Sequence, residues 1–94
     1  MTIEAWVLQL KLEIAKEEYE GKVLFLTDDE EVDFLTENLQ KAELIFNKEK
    51  EIEWRKAYEK SIFDRFGPGA VCNFGYTNIS KNFDWVLVDV EVKE

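Results

Sequence analysis

The chain has 94 residues, 21 of them acidic and 12 basic, a formal charge of −9 at neutral pH, with no histidine and a single cysteine. Without histidine, and with one thiol, the usual zinc ligand sets and the Ser-His and Cys-His nucleophile pairs cannot be assembled within one chain. Apolar residues at 46% and aromatics at 14% disfavour intrinsic disorder and suffice for one compact domain spanning residues 1–94 without metal or disulfide support.

The first segment, Trp6 to Ile14, alternates: Trp6, Leu8, Leu10, Leu12 and Ile14 fall on one side, with Gln9, Lys11 and Glu13 between them. That period of two predicts a half-buried strand. The polar stretch Lys16 to Gly21 turns the chain, and Lys22 to Thr27, rich in β-formers, predicts a returning strand. After Asp28-Asp29 two readings compete. In one, Val32 and Phe34 alternate around Asp33, so that Glu30–Leu35 is a third strand, Asp28-Asp29 a hairpin turn and Thr36 a helix cap. In the other, Thr27 or Asp28 caps a helix that starts at once, with Glu30 or Glu31 closing a capping box.

Helix is expected from Glu37 to Phe66, a stretch with no Gly or Pro. Gly67-Pro68 ends it, the glycine as a left-handed cap and the proline as a block to continuation. A straight helix of that length runs ~45 Å, whereas a globule of this size is ~32 Å across. The apolar stripes also disagree: Leu39, Ala42 and Phe46 form one, while Trp54, Ala57, Tyr58, Ser61 and Ile62 form another, rotated from it. Either the helix kinks or breaks near Asn47-Lys48-Glu49-Lys50, so that both stripes reach one core, or it stays continuous and its second half packs on another chain as a dimer.

Beyond Ala70–Tyr76 a polar turn is expected from Thr77 to Asn82. Val86, Val88, Val90 and Val92 then alternate with Leu87, Asp89 and Glu91, and Trp85–Val92 predicts a terminal strand able to pair with Trp6–Ile14. The expected class is therefore α+β: an antiparallel sheet of three to five strands drawn from both ends of the chain, with one long or broken helical segment across a face.

Charge is uneven. Glu13 to Glu37 holds ten acids against two bases, whereas Asn38 to Phe66 is nearly balanced with six acids and seven bases. Folded together, Glu17, Glu18, Glu20, Asp28, Asp29, Glu30, Glu31 and Asp33 would make an acidic edge that repels nucleic acid and attracts a basic protein surface. The plainer reading is that a solvated charge run keeps a small domain soluble. Asp28 to Asp33 lacks the spacing and central glycine of a calcium loop, so no metal is expected. With this many carboxylates some pair lies close by chance, so no catalytic pair is assigned and no cofactor is expected. Gly67-Pro68-Gly69-Ala70 lacks the Gly-Lys-Ser/Thr ending of a phosphate loop. Cys72, among Val71 and Phe74, reads as a small apolar residue.

Trp54 and Tyr58 lie one helical turn apart beside Arg55, Lys56 and Lys60. Such a set stacks on single-stranded nucleic acid, packs a core edge or meets a protein. The negative field argues against the first, and Trp54, Arg55, Tyr58 and Ile62 are the candidate helix interface. Two functions follow: a non-catalytic acidic module that binds a basic surface, such as an inhibitor of a nucleic-acid-handling protein, or a structural domain that self-associates through its helix. No apolar stretch reaches the ~18–20 residues of a membrane span. The opening Met1-Thr2-Ile3-Glu4-Ala5-Trp6 does not resemble a signal peptide, and with one unpaired thiol a cytoplasmic location is expected.

Overall fold

The computed structural model describes residues 1–28 and 34–91. The protein is α+β, with a four-stranded antiparallel sheet whose strands come from both chain ends. Contacts gather into two compact units: residues 1–46 with 83–94, which form the sheet, and residues 47–82, which are helical.

In the sheet unit, β1 (Thr2–Leu10) is central, and β4 (Phe83–Glu91) pairs with it along its full length, from Thr2 opposite Glu91 to Leu10 opposite Phe83. The expected pairing of the terminal strands is thus present. The first strand begins earlier than its alternation suggested and stops at Leu10, because Leu12–Glu18 is a helix, α1. Alternation from Trp6 to Ile14 misled on two counts. Ala5 and Val7 on one face of β1 are buried as fully as Leu8 and Leu10 on the other, as in a strand covered on both sides. The segment Leu-Glu-Ile-Ala-Lys-Glu-Glu is also made of good helix formers, whose propensity wins once Ala15 can be buried. Ala15 joins Leu10 and Leu24 in a cluster flanked by Ile14, Leu35 and Phe83.

Of the expected Lys22–Thr27 strand only β2, Phe25–Leu26, has sheet geometry. Gln9 faces Phe25, and Leu10 N–H donates to the Leu24 carbonyl at 2.8 Å. The strand β3 is Leu35–Thr36, antiparallel to β2. The expected Glu30–Leu35 strand meets it only at Leu35, and its stretch 30–33 lies outside the described residues. So does Val92 of the expected terminal strand.

The segment Glu37–Phe66 is broken, and the break ends at Asn47. Leu39–Lys41 makes one 3-10 turn capped by Asn38, whose side chain accepts from Gln40 N–H, while the Thr36 hydroxyl accepts from Asn38 N–H instead of capping a helix. The chain then runs extended, with Ile45 bridging Trp6 through paired backbone bonds of 2.7 and 2.8 Å. Ala42 and Ile45 are buried in this extended stretch; sheet-like pairing, not a helical face, puts them in the core.

The helical unit contains α2 (Lys48–Phe66) and α3 (Tyr76–Asn82). Asn47 caps α2 by accepting from Lys50 N–H at 3.1 Å. Gly67 ends it at φ 97°, its N–H donating to the Phe63 carbonyl at 2.8 Å, and Ala70 N–H closes a turn over Pro68 onto the Gly67 carbonyl. Residues 77–82, expected as a polar turn, belong to α3. Near its start Thr77 finds a partner eighteen positions upstream: the Glu59 carboxylate accepts from Thr77 N–H at 2.9 Å and from the Thr77 hydroxyl at 2.8 Å. Gly75 makes that approach feasible, since a Cβ there would lie 2.6 Å from Glu59 Oε2 and 2.8 Å from Cys72 Sγ.

Candidate functional site

The anchored end of α1 positions the acidic residues. Ala15 is buried, and its carbonyl accepts both the Tyr19 N–H at 2.8 Å and the Gly21 N–H at 2.9 Å. That closure requires two successive residues at positive φ, Glu20 at 58° and Gly21 at 77°. Glycine is the usual occupant of the first such position after a helix, because a Cβ there crowds the backbone. Here it carries a glutamate, so the turn aims an acidic side chain outward at a cost in backbone strain.

Beside this turn is an open depression lined by Glu18, Tyr19, Glu20, Lys22, Leu24, Leu35 and Glu37. Leu24 and Leu35 connect it to the apolar cluster around Ala15. Three carboxylates, from the end of α1, the turn and the residue after β3, therefore converge on one apolar-floored hollow. Among the described residues one cation lines it: Lys22 Nζ is 3.6 Å from Glu37 Oε1, with both side chains more than half exposed, a pair worth ~0.5 kcal/mol or less. The hollow suits a guanidinium or ammonium whose alkyl stem rests on Leu24 and Leu35.

Of the residues predicted for the acidic edge, Glu18 and Glu20 meet at this hollow, and Glu17 and Asp28 are exposed in the same unit. Asp29, Glu30, Glu31 and Asp33 lie outside the described residues. Glu37, within the charge run but not among the chosen residues, belongs to the hollow, and only the pairing of β3 with β2 brings it there. Counting by unit, the sheet residues carry sixteen acids against five bases, a formal −11, and the helical residues five acids against seven bases, a formal +2. Among the described residues no group of three or more cysteines and carboxylates could hold a metal ion. No helix there is long and apolar enough to cross a membrane.

The expected helix interface divides. Trp54 and Tyr58 stack at 5.4 Å with their rings 6° from parallel, and Trp54 is 56% exposed. This corrects the expectation that their stripe reaches the core. Arg55 is 3% exposed; its Nη1 donates to the Phe74 carbonyl at 2.8 Å and its Nη2 lies 3.0 Å from Glu51 Oε1. It ties the chain after α2 back onto that helix. Ile62 is half-buried, on the same side as Arg55 by its spacing of seven residues. Lys56 completes the internal set, its Nζ 4.7 Å from the Tyr76 ring centre. Cys72 is a half-buried free thiol.

No family model, curated protein or solved structure matches the chain.

Proposed function

We propose that this protein is a non-catalytic binding module whose acidic hollow receives a basic side chain or loop of a partner, and that it acts in the cytoplasm as an inhibitor covering the basic surface of a nucleic-acid-handling protein. The convergence of Glu18, Glu20 and Glu37 on one apolar-floored depression, with Lys22 the one base lining it among the described residues, carries the reading. The −11 formal charge of the sheet residues supports it at longer range: such a field draws in a cationic groove and speeds encounter, and it disfavours direct contact with phosphates. An Arg or Lys entering the hollow would exchange the weak Lys22 pair for several carboxylate oxygens while its stem covers Leu24 and Leu35.

The test is affinity capture from lysate at 0.05 and 0.5 M salt, run beside titration with an oligo-arginine peptide. Basic nucleic-acid-handling proteins retained at low salt and shed at high salt are expected. So is a peptide affinity that falls steeply with salt and by about tenfold or more in the triple variant Glu18→Gln, Glu20→Gln, Glu37→Gln. Binding that is indifferent to salt, or unchanged in that variant, overturns the proposal.

A further inference from the structure

The sheet has two edges, and they differ. One is β3, two residues long; an edge that short offers little to a passing strand. The other is β4, nine residues in unbroken register with β1. Natural edge strands of that length are defended by charged side chains, lysine above all, by proline or by a bulge, and β4 has only the first of these, in Asp84, Asp89 and Glu91. The β4 sequence, Phe-Asp-Trp-Val-Leu-Val-Asp-Val-Glu, has no lysine or proline, and its register with β1 has no bulge. At its centre Leu87 is 48% exposed.

We propose that the outer edge of β4 pairs antiparallel with β4 of a second copy, joining two four-stranded sheets into one of eight strands about a two-fold axis at Leu87. The sequence is self-complementary in that register. A two-fold that keeps each face of the sheet continuous and pairs all nine residues must pass through the middle residue. Leu87 then faces Leu87, Val86 faces Val88, Asp84 faces Val90, Trp85 faces Asp89 and Phe83 faces Glu91. No carboxylate opposes another across the strands, although three of the nine residues are acidic, and the exposed leucine is covered by its own copy. On the outer stripe of α2 a register that overlaps nearly the whole helix brings like charges together. An antiparallel helix pair centred between Ala57 and Tyr58 sets Lys50 against Arg65, two cations facing each other. The second copy is therefore assigned to β4, a surface separate from the acidic hollow.

Two chains that each carry −9 repel, so this association tightens as salt rises, opposite to the dependence expected of the hollow. Sedimentation equilibrium from 5 to 200 μM in 0.1 and 0.5 M salt tests it. The expected result is a particle of twice the 11.1 kDa chain mass, more populated at high salt, unaffected by the Glu18, Glu20, Glu37 triple variant and by Trp54→Ala. Leu87→Lys, which sets like charges opposite each other, weakens it about tenfold or more while leaving the circular dichroism spectrum intact. Leu87→Cys in a Cys72→Ser background should cross-link copy to copy through a short thiol reagent, which keeps the test decisive if the lysine variant folds poorly. A monomer at 200 μM in both salts, or a dimer that resists Leu87→Lys and is lost in Trp54→Ala, overturns the proposal.

Discussion

The sheet unit and the helical unit hold themselves together by different chemistry. Among the described residues ten apolar side chains are buried; nine, from Ala5 to Ile45, belong to the sheet unit, and Ile79 belongs to the helical one. The helical unit relies on polar ties: Arg55 to the Phe74 carbonyl and to Glu51, Glu59 to Thr77, and the Asn78 amide donating to the Asn73 carbonyl at 2.7 Å. The difference decides what each unit can offer a partner. Of the five carboxylates of the helical unit, Glu51 and Glu59 are engaged in internal bonds, and the other three stand among seven bases. Where burial of leucine, valine and alanine supplies the stability, Glu17, Glu18, Glu20 and Asp28 stand in solvent with no structural duty to their own core.

Four substitutions break or sharpen that contrast. Leu8→Ala, at a side chain with 1% exposure in the centre of β1, should cost about 3 kcal/mol in urea unfolding; a loss below ~1 kcal/mol would mean that the sheet unit does not depend on apolar burial. Arg55→Ala leaves the Phe74 carbonyl and Glu51 without their cation, and a loss of about 2.5 kcal/mol is expected, with faster amide exchange around residues 67–75. A near-neutral result there would remove polar ties as the basis of the helical unit. Gly75→Ala forces a methyl against Glu59 and Cys72, and about 2 kcal/mol should be lost, together with amide protection at Thr77. Glu20→Gly runs the other way. Relief of the left-handed glutamate should stabilise the protein by about 0.5 kcal/mol, while binding of the oligo-arginine peptide weakens. A variant gaining both stability and affinity would show that Glu20 has no part in the hollow.

Much of the architecture was readable in the chain. Val86, Val88 and Val90 alternate with Leu87, Asp89 and Glu91, which marks the last strand; the clash between the stripes of Leu39-Ala42 and Trp54-Tyr58 leaves a break within Asn47–Lys50 or a continuous helix, and the structure has helix only from Lys48, with a single 3-10 turn in the stretch before it. The hollow was half legible: Glu18 and Glu20 stood out by charge density, but Glu37 did not, because its approach depends on which residues of β2 and β3 pair. The helix α3 was hidden for a related reason. Its N-terminal partner, Glu59, is eighteen residues away, so a local reading of Thr77-Asn78 sees only turn-forming side chains. The sequence places Arg55 in the candidate helix interface beside Trp54 and Tyr58; its burial within its own unit rests on the bonds to Phe74 and Glu51, which no local pattern announces.

Composition and periodicity by themselves determined the class of fold, the pairing of the two ends and the place where charge accumulates, since these follow from the spacing of apolar residues and the count of ionised ones. Tertiary structure alone decided that Leu12–Glu18 turns helical, that Trp54 stays in solvent while Arg55 leaves it, and that Glu37 joins Glu18 and Glu20. Each of those outcomes depends on a partner distant in sequence, whose burial or hydrogen bond outweighs a local preference of about 1 kcal/mol.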